Sequence, residues 1–282
     1  FVLSRRNQPP PILRFFRQIR QRLLTDSKFS KYLVYAIGEI LLVVIGILIA
    51  LQIDNWNEEV QNRKIEQSFY KDILSDLKKD SLKLDGLTLL YNNRIEHAGW
   101  LLKRVRDPGI PLDYIEVGKR IQPLYFGPLP VTYNSSYEAA KSSDAFARFK
   151  NKAILKDLNQ FYADFEELKG ILQATLRWLE SDLEPVMSTL PETYITEDSG
   201  EYVITSELYS IRDFYKFMAS IEDKRNLPVD LSPILQNPRF EVYLSGDLGR
   251  SFNALESLRR RKERIATLKA EINNHLNTSN PP

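Results

Sequence analysis

An uninterrupted apolar run constrains this chain more than any other feature. Residues 32–53 read YLVYAIGEILLVVIGILIALQI, with Glu39 as the one carboxylate and Gln52 at the far edge. As an α-helix rising ~1.5 Å per residue the run reaches about 33 Å, enough to cross a hydrocarbon core ~30 Å thick. The core helix of a soluble protein needs a polar face, and residues 40–51 offer none. The expectation is a transmembrane helix. A cleaved signal peptide fits poorly: the apolar region is too long, the basic leader too large, and no small-x-small site follows Ile53. The run is therefore expected to persist as a signal anchor.

Charge supplies the orientation. The chain carries 39 Lys and Arg against 37 Asp and Glu, a formal net charge of +2. That near-balance conceals a division. Residues 1–31 hold eight basic side chains and one acid, the run holds Glu39, and residues 54–282 hold the rest, which gives +7, −1 and −4 in turn. The positive-inside rule then places residues 1–31 in the cytoplasm and residues 54–282 outside it. Tyr32 and Tyr35 at one end, and Trp56 at the other, stand where interfacial anchors are expected. A mean hydropathy of −0.33 excludes a polytopic membrane protein.

The basic head has its own pattern. After Pro9, Pro10 and Pro11, the residues Ile12, Phe16, Ile19 and Leu23 recur at helical spacing, with Arg14, Arg17, Arg20 and Arg22 mostly on other faces. Such a segment is expected to lie on an anionic bilayer surface, with Phe16 and Ile19 as anchors. The four arginines, together with Lys28 and Lys31, meet lipid headgroups. Nucleic acid is the competing partner for a basic arm, and a membrane beside it already supplies the negative charge, so no nucleic-acid partner is expected.

Glu39 sits seven residues into the run, ~10 Å along a helix axis. An intramembrane carboxylate is costly and counts as a functional candidate. Two readings stand: it pairs with a neighbouring helix or exchanges a proton, or it is protonated or reaches the interface and does no chemistry. Gly38, Gly46 and Ala50 add small positions, and Gly46 with Ala50 forms a small-xxx-small pair suited to close helix contact. Gly38, Glu39, Gly46 and Ala50 are the expected helix–helix contacts in the membrane.

No second run of spanning length follows Ile53, so residues 54–282 read as one soluble body. Tyr70, Ile73, Leu77, Asp80, Leu84, Leu87, Tyr91, Arg94, Ala98, Leu101 and Val105 follow alternating steps of three and four, which predicts a long helix with a heptad-like seam. Further apolar residues widen the stripe, which favours packing inside a bundle over a bare coiled coil. Asp107, Pro108 and Gly109 end it. The Pro- and Gly-rich residues 107–134 predict an ordered irregular excursion with one short helix at 112–120. Helices are then expected at 135–150, 153–187, 207–221 and 239–275, with a brief strand pattern at Tyr202, Val203 and Ile204. The last helix has an apolar seam through Leu248, Phe252, Leu255, Leu258, Ile265, Leu268 and Ile272. The fold class is all-α: one N-terminal transmembrane helix continuing into a long-helix bundle with Pro-rich irregular excursions. Without a cysteine in the chain, that body is held by helix packing alone.

Residues 15–24, 28–31 and 32–58 resemble the N-terminal signature of an uncharacterised family of single-span inner-membrane proteins common in Bacteroidota, which carries only a domain-of-unknown-function label. Thr132, Tyr133, Tyr137, Lys141 to Ser143, Asn151, Phe161 and Tyr162 are similar to its looser second signature. This chain departs there by carrying Asp144 where a glycine is expected and Ala147 near an expected aliphatic, so a tight turn at that point would differ. The resemblance implies a periplasmic place for the body and brings no activity.

Chemistry is sparse. The lack of cysteine excludes disulfide scaffolds, thiolate metal sites and thiol catalysis, and the chain has two histidines, His97 and His275. Phosphate-loop, dinucleotide, nucleophile-elbow, zinc-protease and Ca²⁺-loop patterns do not occur. Residues 54–59, DNWNEE, are oxygen-rich and read as a polar exit from the bilayer rather than a cation site. The run Arg259, Arg260, Arg261, Lys262, Glu263, Arg264 reads first as a solvated helix face, with an acidic partner or lipid headgroup as the functional alternative. No cofactor and no metal are expected. The function expected is a non-enzymatic structural, accessory or scaffold subunit that forms a homo-oligomer or docks onto a larger inner-membrane complex. A ligand-binding sensor module and an ion-coupled subunit using Glu39 are the alternatives.

Overall fold

A computed structural model of the chain describes residues 27–127, 130–204 and 211–278. It is 79% helical, and no strand occurs among the described residues. The expected basic helix, with Arg14, Phe16, Arg17, Ile19, Arg20 and Arg22, lies outside the described residues. The chain divides into two compact units, Phe1–Lys64 and Ile65–Pro282.

Helix α1 is Ser27–Arg106. Neither Pro nor a Gly pair interrupts it, and it stops one residue before Asp107 and Pro108, where the proline disfavours helix for the residue preceding it. In the first unit residues 32–53 are all exposed, the large apolar side chains among them from Val44 at 46% to Tyr32 and Tyr35 at 76%. This is a helix long and apolar enough to cross a membrane, and none of its apolar window is buried within the chain.

In the second unit, α1 is followed by α2 (Tyr114–Ile121), α3 (Ser135–Ser142), α4 (Lys152–Ala163), α5 (Phe165–Trp178), α6 (Glu184–Met187), α7 (Ile211–Ser220), α8 (Ser232–Leu235) and α9 (Pro238–Thr278). Asp113 caps α2 by accepting from the amides of Ile115 and Glu116, and Asn151 caps α4 through Ile154. The long helix expected over 153–187 is broken. It is interrupted at Asp164 between α4 and α5, and widens into a π-helical turn at Leu179–Leu183 before Pro185 enters the first turn of α6. Helix 135–150 is also shorter than expected, because Asp144 adopts φ 56°, ψ 18°, a left-handed conformation that no helix continues through. The strand pattern at 202–204 forms a turn and coil instead: the amide of Val203 bonds the carbonyl of Gly200, and no strand lies alongside.

The α1 seam is the buried face. Ten of its eleven positions are buried, and Val105 is half-buried. On α9 the buried line runs through Phe240, Leu244, Asp247, Ser251, Ala254, Leu258, Arg261, Ile265, Leu268 and Ile272. This corrects the expected seam over its first half, where Phe252 is 59% exposed and the inward positions are Asp247, Ser251 and Ala254. A reading that follows only apolar residues slips by one position there, since the inward side chains are small or charged.

Two apolar clusters fill the body. One gathers Phe69 to Tyr91 of α1 with residues of α3 to α5 and the part of α9 from Ala254 onward. The other gathers Ala98 and Leu101 with α2, the end of α5, Tyr194, α8 and Phe240 to Leu244. Each fully buried large side chain contributes about 1.5–3 kcal/mol, which is the main source of stability in a fold without crosslinks.

Candidate functional site

Two kinds of candidate exist: the apolar stretch of α1 with its lone carboxylate, and the charged groups inside the body. At about 100° per residue, Glu39, Gly46 and Ala50 fall within roughly 40° of one another, and Gly38 lies about 100° to one side. A Cβ built on Gly38 or Gly46 would meet nothing within 4 Å. No contact inside the described chain therefore requires glycine at either position. Tyr32, Tyr35 and Trp56 are exposed, as is Lys31; Lys28 lies in α1, and its side chain is outside the description.

The body treats its charges differently. On α1, Glu66, Asp80 and Arg94 stand two heptads apart, and on α9 His275, Arg261 and Asp247 repeat that spacing in the opposite direction. The helices run antiparallel, so the three levels meet in register. At the first, Glu66 Oε1 lies 3.7 Å from His275 Nε2, and its two oxygens accept the amides of Asn151 and Lys150 at 3.1 Å each. These amides precede α4, so Glu66 holds the entry to that helix.

At the second level Asp80 accepts the amide of Tyr133 at 2.7 Å and the hydroxyl of Thr132 at 2.8 Å. Arg261 donates to the same Thr132 oxygen at 3.3 Å and to the Phe161 carbonyl at 2.9 Å. Burial pushes the Asp80 carboxyl up, against the lowering effect of those donors and Arg261. Burial also lowers the Arg261 guanidinium to about 10, and the nearby Asp80 offsets this in part. One turn earlier on α1, Asp76 takes the Ser136 hydroxyl at 2.6 Å. These contacts fasten the irregular residues 130–134 and the first turn of α3 to the long helix.

At the third level Arg94 and Asp247 are 1% and 0% exposed. Arg94 Nε meets both carboxylate oxygens at 2.8 and 2.9 Å, and Nη2 bonds Asp247 Oδ1 at 2.7 Å and the Tyr243 hydroxyl at 2.8 Å. Nη1 donates to the carbonyls of Leu124 and Phe126 at 2.9 and 3.3 Å. Burial acts against the Arg94 charge, and Asp247 with Tyr243 more than offsets it, so the guanidinium stays protonated. The centre lies between the two apolar clusters, separating Tyr91 from Ala98 and Leu244 from Ala254.

His97 is 2% exposed. Its Nδ1 faces Arg120 Nη1 at 3.1 Å and must accept, since a guanidinium only donates; Nε2 then donates to Asn93 Oδ1 at 3.0 Å. Burial, followed by Arg120, lowers the His97 pKa. Among the described residues no group of three or more His, Asp or Glu is placed to hold a metal ion.

Sequence reasoning placed Asp80 and Arg94 on the buried seam. It missed Asp247, which pairs with Arg94, and Glu66, and it placed Arg261, which shares the Thr132 hydroxyl with Asp80, on a solvated face. The signal was the spacing itself: continuing the three-four alternation from Ile272 and Leu258 toward the start of α9 arrives at Arg261 and Asp247. Much of the second resemblance consists of residues that serve these levels: Thr132 and Tyr133 hold Asp80, Asn151 holds Glu66, and the Tyr162 hydroxyl donates to the Tyr133 carbonyl at 3.4 Å.

Residues 39–105 match the model of a family of unknown function (DUF6090). The match begins at Glu39, covers the seam of α1 and ends before the second resemblance. No curated protein matches the chain, and no solved structure does.

Proposed function

We propose that the chain is a non-enzymatic, single-span protein of a bacterial inner membrane, with residues 1–31 cytoplasmic, residues 32–53 crossing the bilayer and the body in the periplasm. It serves as an accessory or scaffold subunit that assembles with itself or docks onto a larger envelope complex. The observation that carries this reading is the face of Glu39, Gly46 and Ala50, which has no partner within the described chain. A bilayer accounts for exposed Leu, Ile and Val on every side, but it does not satisfy a carboxylate; a helix from another copy or another subunit does. The non-enzymatic part rests on the body's buried charges, which are engaged in internal bonds that fasten helices and loops.

Native mass measurement of the full chain in mild detergent tests the proposal. A defined oligomer or a co-purifying membrane subunit is expected, and a strict monomer without partners overturns it. A reversed topology, read as digestion of the body by protease added to inverted vesicles, overturns the placement. A ligand-binding role is the second reading, favoured by the cleft described next.

A further inference from the structure

The run 259–264 divides its charges between rim and wall. Arg259 is bound to Glu256 and Glu263 on the exposed side of α9, and Lys262 reaches Asp85 of α1. Arg260, Arg261 and Arg264 line an open cleft of about 290 Å³ between α9 and helices α4 and α5. Phe161, Leu168 and Ile171 form its apolar wall, and Asp164 and Glu167 its acidic edge.

The three arginines are not equivalent. Arg264 is tied to Asp157 at 2.6 Å, and Arg260 lies 3.8 Å from Glu256, an acid already shared with Arg259. Arg261 is 8% exposed and has no carboxylate within ion-pair distance among the described residues. Its bonds to Phe161 and Thr132 use two of the five N–H donors of a guanidinium. The Cζ atom of Arg261 lies 3.9 Å from the Phe161 ring centre and 5.1 Å from that of Phe165. A guanidinium seated over two aromatic rings, with spare donors beside a cleft, is arranged to receive a planar carboxylate.

We propose that this cleft binds a small monocarboxylate with an apolar body, its carboxylate on Arg261 with Arg260 and Arg264 beside it, and its hydrocarbon on Phe161, Leu168 and Ile171. Two features select that class. The volume of about 290 Å³ is at the lower end of the roughly 300–1,000 Å³ of small-molecule sites, which suits a small ligand. Asp164 and Glu167 repel a dianion, so a single negative charge is matched better than a phosphate. The site lies wholly within the body and does not depend on the assembly role proposed above.

Calorimetric titration of the full chain in detergent with benzoate tests the site, with inorganic phosphate and benzyl alcohol as comparison probes. Saturable binding of one benzoate per chain is expected, at least 10-fold tighter than either comparison probe. Arg264→Gln should weaken it several-fold and Arg261→Met abolish it. Because Arg261 also holds Phe161 and Thr132, Ile171→Trp provides the second variant: it fills the cleft without touching the arginines and should remove binding while the circular dichroism and melting of the chain persist. Three results each overturn the proposal: no saturable benzoate binding, benzyl alcohol or phosphate binding as tightly as benzoate, or benzoate binding unchanged in a folded Ile171→Trp chain.

Discussion

Along the apolar stretch of α1, Glu39 has no hydrogen-bond or ion-pair partner among the described residues. Farther along the same helix, Glu66, Asp76, Asp80 and Arg94 each close on named groups. Both stretches are helical and both place charge among apolar neighbours, so a charge on an apolar face does not by itself say whether the chain satisfies it. What separates them is what lies opposite. In the body α9 repeats the two-heptad spacing and supplies His275, Arg261 and Asp247, with Thr132 joining Arg261 to Asp80. A buried charge with an in-register partner fixes how two helices align, and one without a partner in its own chain directs attention to another molecule.

Arg94 gives the sharpest way to break this contrast. Arg94→Met leaves the Asp247 carboxylate 0% exposed and without its bidentate partner, which should cost about 3–5 kcal/mol. The double variant Arg94→Met with Asp247→Leu should recover most of that loss, because a well-packed apolar pair stands in for a desolvated ionic one. Denaturant unfolding of the full chain in detergent, run as a double-mutant cycle, measures both. A double variant as unstable as the single one would mean that the bonds to Leu124, Phe126 and Tyr243, not the ion pair, carry the stability of this level.

His97 tests the same idea through pH, with a smaller loss than Arg94→Met expected. Protonation would place a second cation against Arg120 across 3.1 Å. The folded pKa lies below the ordinary 6.5, so the unfolded chain takes up the proton first. The contribution is complete above about pH 6.5 and is lost as the pH falls through the folded value. The stability difference between the chain and its His97→Gln variant should therefore shrink from pH 7.5 to pH 5. Glu96 and Glu116, which favour the charged ring, limit the effect.

Asp144 supplies a stabilising test. Its φ of 56° suits glycine, so Asp144→Gly should raise stability by about 0.5 kcal/mol, the relief of strain being partly offset by the greater freedom of the unfolded chain. A higher melting temperature is the readout. The turn survives in this chain because aspartate tolerates the left-handed region better than most residues do.

Much of the architecture was legible because α1 is almost ideal in pattern. Residues 32–53 announce themselves by composition, and the seam from Tyr70 to Val105 holds a single alternation that a charged residue interrupts twice without breaking. The α9 seam is harder to read at Asp247, Ser251 and Ala254, since the inward residues there are a carboxylate that receives Arg94 and two small side chains rather than large apolar ones. Residues 153–187 read as one helix because apolar residues recur at helical spacing on both sides of Asp164 and of the π-turn at Leu179–Leu183. The cleft was illegible for a related reason. A run of five basic residues in six looks solvated until Phe161 and Phe165 on other helices are seen to cover one of them.

Glu39→Gln should have the smallest effect on folding, and that is its use. The side chain has no partner in the chain to lose, so unfolding of the body should stay within about 0.5 kcal/mol of the parent. On the proposed reading the same change alters association, because glutamine keeps the size and loses the charge that a neighbouring cation would neutralise. Comparing the oligomer distribution of the two proteins at equal detergent concentration isolates that contribution. Introducing leucine at Gly46 then separates charge from shape: a face used for close helix contact should fail with Gly46→Leu even while Glu39 is intact. If both variants assemble as the parent does, the unpartnered face is not where this protein meets its neighbour, and the contrast between the two stretches of α1 is one of solvent alone.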